Sequence, residues 1–210
     1  MIIPVSIIVV FIRLLALIFS AFIFWRKLKE DYRGEEIFPL NILLVVAGFF
    51  GARVFSLQGA FLAIILSLIF FSRQKKWNSW QAADSVVSPL LLMILVFYLT
   101  DFSTIFLWRN FSVAILALMM LFLTKIMEKK YRSISWYKSG KVGFLACFSI
   151  MAFFGLFLVL ELFYQEALYL TTIVDLGIVI IAFVLLYRRS ERDWLKDKLG
   201  FIKFFKNYGR

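Results

Sequence analysis

A chain of 210 residues, 63% of them hydrophobic, carries a few polar side chains inside its apolar runs. Arg13, Arg53, Gln58 and Glu161 are the main ones, with Asp84, Asp101 and Asp175 as further candidates. A charge placed centrally in a bilayer costs about 2.5–3.5 kcal/mol on insertion scales, so it usually faces a partner or a watery cavity. A guanidinium can hold a phosphate through two parallel hydrogen bonds. A carboxylate near the lipid surface can serve as a general base. The stretch FGARVFSLQGA, residues 50–60, gathers Arg53 and Gln58 between Gly51 and Gly59, whose missing side chains leave room for a ligand to approach the backbone. The chain has no His and one Cys, Cys147, which reads as an inert core residue. No metal site and no cofactor are expected.

The elements that must position these groups are membrane spans. Mean hydropathy is +0.90, and apolar runs of bilayer-crossing length recur along the whole chain. The expected class is an all-α polytopic membrane protein. Its seven expected transmembrane helices cover 5–25, 39–57, 59–72, 81–99, 106–124, 142–163 and 170–187. The net charge of +11 does not call for nucleic acid, because Lys and Arg fall in blocks between the runs. Alternate connections hold four in 26–36, three in 73–80, six in 125–141 and eight from 188 onward, which is 21 of the 24. Of the rest, Arg109 lies in the other set of connections and Arg13 and Arg53 lie within spans. The positive-inside rule then sets the N-terminus outside and the C-terminus in the cytoplasm. Because Arg26, Lys27 and Lys29 follow the first run instead of preceding it, residues 1–25 read as a retained span and not as a cleaved signal.

Local signals refine some edges. Pro39 suits the first turn of the second span, where its missing N–H costs nothing. Asn78 reads as a helix cap with Gln81 as its capping-box partner, and Asp84 follows near the positive helix end or deep enough to need a partner. Residues 191–210 space Trp194, Leu195, Leu199, Ile202 and Phe205 at near-helical intervals among Lys and Arg. A cytoplasmic amphipathic interfacial tail is expected there, after a transmembrane domain over 1–190. In depth, Arg53, Gln58 and Glu161 converge near the external leaflet, where Arg53 is expected to face a cavity open to that leaflet, near Glu161, and to hold a lipid phosphate. The bland alternative is that Arg53 snorkels to head groups or staples two helices through Glu161.

Several motifs, in order, resemble the prolipoprotein diacylglyceryl transferase family of the bacterial inner membrane. They are Gly51-Ala52-Arg53 ending the second span, Gln58-Gly59-Ala60 opening the third, a basic turn from Arg73 to Lys76, and Trp80-Gln81-Ala82-Ala83-Asp84 with Pro89 in the fourth. Weaker likenesses follow at Arg109-Asn110-Phe111-Ser112, at Leu160-Glu161-Leu162-Phe163-Tyr164-Gln165, and at Tyr187-Arg188-Arg189. The resemblance spans residues 5–190. It implies transfer of a diacylglyceryl group from phosphatidylglycerol to the thiol of a lipobox cysteine, with a thioether formed and glycerol phosphate released. The implied partners are a phospholipid, phosphatidylglycerol, and a lipoprotein precursor, with no nucleic acid and with residence in the bacterial plasma membrane. Arg53, Glu161, Arg109 and Ser112 carry over residue by residue; the lipid phosphate is expected at Arg53, Gln58, Gly59 and Arg109, with Glu161 or Asp101 as a substitute base.

The departures bear on chemistry. Where the family opens its third span with His-Gly-Gly, this chain has Gln58, which cannot act as a base. The family's Gly-Arg-x-Gly-Asn at the outer end of the fourth span is replaced by residues 96–101, Val-Phe-Tyr-Leu-Thr-Asp. The arginine one turn before the family's glutamate becomes Phe157. Two readings stay open: a divergent transferase with weakened catalysis, and a relative that binds a lipid or precursor without chemistry. A small carrier or channel is the third-class alternative.

Overall fold

A computed structural model describes residues 5–105, 107–134, 137, 139–164 and 169–191. Among them every regular element is helical: α1 Val5–Leu28, α2 Gly34–Lys75, α3 Ser79–Ile105, α4 Trp108–Lys130, a 3-10 turn at Tyr131–Ser133, α5 Phe144–Phe163 and α6 Tyr169–Arg189. Six helices are long and apolar enough to cross a membrane. Large apolar side chains such as Phe11, Ile18, Phe50, Phe70, Phe122 and Ile181 point outward, each more than half exposed. A soluble surface would not carry that much contiguous apolar area, and a lipid-facing one must. The amphipathic tail expected over 191–210 lies outside the described residues, Glu191 apart.

The 42 residues of α2 cannot be one straight rod. A helix of that length would run about 63 Å, yet Glu36 near its start and Lys75 at its end meet with 3.5 Å between carboxylate and ammonium. The chain doubles back where Phe55 (φ −138°, ψ 39°) and Ser56 (φ 51°, ψ −137°) leave helical geometry. Two arms, residues 34–54 and 57–75, then run side by side. Glycine permits their contact: a Cβ added to Gly51 would collide with the carbonyl of Gly59 and sit 2.8 Å from the Ala63 Cβ. The two glycines are therefore a helix-crossing point, where small residues let backbones touch. The turn contains no Pro or Gly, and Ser56 takes its left-handed φ without glycine's help.

Pro39 does not open a helix as expected. The helix begins five residues earlier, at Gly34, because Glu35 and Glu36 supply the acidic first turn that the positive helix end favours. Glu36 also accepts from the Trp77 indole at 3.1 Å, so both ends of the hairpin are tied at one level. Phe24, Leu28, Ile37, Leu40, Leu44, Leu68, Phe71 and Trp77 pack beneath that tie as one buried cluster.

α3 lies at the middle of the bundle, in contact with α1, α2, α4 and α5, and α5 pairs with α6. Its start is capped as the sequence predicts: the Trp80 N–H donates to Asn78 Oδ1 at 3.1 Å. Gln81 does not complete a capping box. Its amide instead donates to Asp31 at 2.5 Å and accepts from the Tyr32 hydroxyl at 3.2 Å, reaching the loop before α2. Asp84 serves a different helix from its own, accepting from the Gly143 N–H at 2.6 Å and the Ala146 N–H at 2.8 Å at the start of α5. Helix starts leave such N–H groups orphaned, so this carboxylate docks α5 onto α3. Asp84→Ala strands both donors and is expected to lower stability by about 1–3 kcal/mol. Asp84→Asn, which keeps one acceptor, costs less, as thermal unfolding of the two variants in detergent would read.

The main core stacks Phe153, Phe154 and Phe157 of α5 against Phe61 of α2, with Val87, Leu91 and Ile94 of α3 and Val113, Leu116 and Met120 of α4 around them. Cys147 is buried and unbridged, in a third cluster with Tyr137, Phe144 and Leu186.

Candidate functional site

Four elements each send one polar side chain into the same region of the bundle. Gln58, two residues past the hairpin turn, donates through Nε2 to Asp175 Oδ2 of α6 at 3.1 Å. Glu161 of α5 lies beside the Asp175 carboxyl. Arg109, in the first turn of α4, reaches Glu161 with 3.8 Å between Nη2 and Oε1. Gln58, Glu161 and Asp175 are 3%, 5% and 0% exposed, so these three are buried, while Arg109 keeps part of its side chain at the surface. The Tyr98 hydroxyl of α3 stands among Arg109, Asp101 and Glu161. One turn away Ser112 of α4 and the Tyr164 hydroxyl are 2.8 Å apart.

A second polar group sits alongside. Arg13 of α1 ion-pairs with Asp101 of α3, donates through Nε to Thr100 Oγ1 at 2.9 Å, and lies 4.8 Å over the Phe97 ring. Arg13 therefore has a structural partner, and the same pair occupies Asp101, a residue expected to stand in as base.

The structure brings Gln58, Glu161 and Arg109 together and leaves Arg53 out. Arg53 is exposed on the first arm of α2, its guanidinium 5.3 Å over the ring of Phe49 one turn earlier. The cation facing Glu161 is Arg109, so the pairing expected of Arg53 is corrected. The physical cause is the turn at Phe55 and Ser56, which breaks helical phase between Arg53 and Gln58 and points them in different directions. Gly59 is likewise spoken for, since its face meets Gly51 and leaves no opening for a ligand. Arg53→Ala is expected to change stability by less than about 0.5 kcal/mol, as for an exposed side chain without an ion pair. A loss above about 2 kcal/mol in the same thermal assay would put Arg53 back into a buried site.

Asp175 is the residue whose part sequence reasoning left unassigned. The available signal was an acid six residues into an apolar span, but its partner lies 117 positions away, beyond any local pattern. Chemically, the network offers one amide, two carboxyls and one guanidinium, with neither imidazole nor thiol. Arg109 neutralises Glu161 and so blunts it as a base. The arrangement can tie α2, α4, α5 and α6 together and hold charge at low dielectric.

Toward the middle of the bundle an open cleft separates the second arm of α2 from α3 and α5. Leu57, Ala60, Phe61, Leu91, Ile94 and Phe153 are among its apolar walls, and Ser149 is its one polar lining residue. Val87 and Ile94, near its two ends on α3, are about 10 Å apart along the helix.

Comparison with protein-family models, with curated proteins and with solved structures finds no match.

Proposed function

We propose that this chain is a lipid-binding membrane protein of the bacterial plasma membrane, in which one acyl chain of a phospholipid such as phosphatidylglycerol lies in the cleft between the second arm of α2, α3 and α5. The observation that carries this reading is the cleft itself. Its walls are almost wholly apolar, and one of them, Leu57, is the sequence neighbour of Gln58 in the buried polar network. An apolar slot with polar groups at one end is the shape of a lipid, and pockets that bind small molecules follow the same division of labour.

The orientation that goes with this proposal counts the two arms of α2 as separate crossings, seven in all, with the N-terminus outside and the C-terminus in the cytoplasm. Basic residues in the last turns of α1, α2, α4 and α6 support it, since seven alternating crossings bring those four ends to one side. The network then stands in the outer half.

The test is native mass spectrometry of the protein purified in mild detergent and supplied with phosphatidylglycerol. Wild type is expected to retain about one lipid, and Ala60→Phe, which pushes a ring into the cleft, to retain at least about tenfold less while unfolding at the same temperature or higher. Equal retention by the two would remove the cleft from the account.

A second reading is diacylglyceryl transfer itself, with a lipoprotein precursor as the other partner. It is favoured by one observation, the buried Glu161 carboxylate held beside the network. A lipobox peptide gaining diacylglyceryl mass in the presence of the protein and phosphatidylglycerol, and not with Glu161→Gln, would establish it.

A further inference from the structure

The outward face of α4 changes character along its length. Ile115, Leu118, Met119, Phe122 and Ile126, each more than 40% exposed, form one apolar stripe opposite the side that packs Val113, Ala117 and Met120 into the core. Spacings of three and four residues hold such a stripe on a single side of a helix. The same face then turns basic. Lys125 and Lys129 lie on it one turn apart, Lys130 and Arg132 follow, and all four are exposed.

The one acid of this stretch is directed elsewhere: Glu128 pairs with Lys27 of α1 at 2.9 Å. Among the described residues Lys125, Lys129 and Lys130 enter no ion pair, and Arg132 lies over the Tyr131 ring with its Nε donating to that hydroxyl at 3.1 Å. Cations near a helix C-terminus suit its dipole on any face. The dipole does not account for their place at the end of a stripe that must face lipid. Depth agrees with that place. Trp108, 68% exposed at the start of α4, suits one membrane interface. From there Lys125 stands about 26 Å and Lys130 about 33 Å along the helix, against about 30 Å of hydrocarbon, so the lysines bracket the opposite head-group level.

We propose that this face of α4 binds an anionic phospholipid with two phosphates, a cardiolipin-type lipid, its acyl chains along the apolar stripe and its phosphates among Lys125, Lys129 and Lys130. Basic clusters at the membrane surface attract anionic head groups. A single phosphate would leave most of the charge of three unpaired lysines uncompensated. Two phosphates joined through a glycerol also match a basic stripe that rises about 10 Å from Lys125 to Arg132. Assignment to the cytoplasmic leaflet rests on the orientation proposed above. The site itself is separate from the cleft between α2, α3 and α5.

Native mass spectrometry of the full-length protein in mild detergent, supplied in turn with cardiolipin and phosphatidylglycerol, tests this. Each cation near an anionic head group contributes about fivefold in affinity. The double variant Lys125→Gln with Lys129→Gln is therefore expected to bind cardiolipin at least about tenfold more weakly than wild type. Its unfolding temperature should not change, since both positions are exposed and Gln is as good a helix former as Lys. The loss should be at least about fivefold larger for cardiolipin than for phosphatidylglycerol. Arg26→Gln with Arg73→Gln removes the same charge from exposed positions at the ends of α1 and α2, and should weaken cardiolipin by less than about twofold. Ala60→Phe, which fills the cleft, should leave cardiolipin binding unchanged, so this site and the cleft can fail separately. Full cardiolipin binding by the lysine variant would overturn the proposal, as would an equal loss for the two lipids. So would a loss in the arginine variant, or in Ala60→Phe, as large as that in the lysine variant.

Discussion

Gly51→Leu is expected to prevent the protein from accumulating in folded form. Any Cβ at this position runs into the Gly59 carbonyl and stands 2.8 Å from the Ala63 Cβ. A side-chain tip could swing away, but a backbone carbonyl inside a helix cannot, so the arms of α2 must separate. Separation breaks the Glu36–Lys75 contact and opens the cluster of Ile37, Leu40, Leu44, Leu68 and Phe71. Overpacking alone costs about 1–3 kcal/mol. With the lost cluster added, a total above about 4 kcal/mol is expected, a large part of what a domain has to spare. Gly59→Leu should behave alike, since its Cβ would stand 2.8 Å from the Phe55 Cβ. Gly155→Ala is the control, because nothing lies within 4 Å of the added methyl. Fluorescence-detected size-exclusion of tagged protein in detergent reads all three, and a monodisperse Gly51→Leu peak of wild-type height would contradict the hairpin crossing.

The second large effect belongs to Arg109. Arg109→Met leaves Glu161, whose side chain is 6% exposed, without its cation. Breaking one partner of a buried pair typically costs about 3–5 kcal/mol. Because the Arg109 side chain is itself 29% exposed, screening lowers the expected loss to about 2–4 kcal/mol. The informative experiment is the double variant Arg109→Met with Glu161→Gln, which removes the stranded charge together with its partner. It should recover most of the loss, so the pair shows a coupling of at least about 1 kcal/mol in a double-mutant cycle. Additive losses would mean that Arg109 stabilises α4 by some other contact.

How much of this could be read from the chain depends on how local each signal is. Span positions were legible to within a few residues, because hydropathy is summed over adjacent positions: α5 and α6, expected at 142–163 and 170–187, occupy Phe144–Phe163 and Tyr169–Arg189. The Asn78 cap was legible for the same reason, its partner being two residues away. The second and third expected spans form one doubled-back element, whose turn at Phe55 and Ser56 has no Pro or Gly to announce it. Gly51 and Gly59 stood out as places of close approach, but a missing side chain does not say whether a ligand or another helix comes near. Here a helix does. The site was half legible. Gln58, Glu161 and Arg109 were singled out by polarity and depth, whereas the choice between Arg53 and Arg109 as partner of Glu161 depended on helical phase across a non-helical turn. Asp84 shows the same limit, since its two donors are about sixty positions further along the chain.

The central claim is that a lipid chain lies in the cleft, and acyl-chain photocrosslinking tests it most directly. Phosphatidylglycerol carrying a diazirine midway along one chain would be incorporated with the protein in nanodiscs, irradiated, and the adducts mapped by peptide mass spectrometry. The account predicts adducts concentrated on residues 57–61, 87–94 and 149–154 and suppressed in Ala60→Phe. Adducts spread over the outward faces of α1 and α4, at residues such as Phe11, Ile18 and Phe122, with none in the three cleft segments, would contradict it.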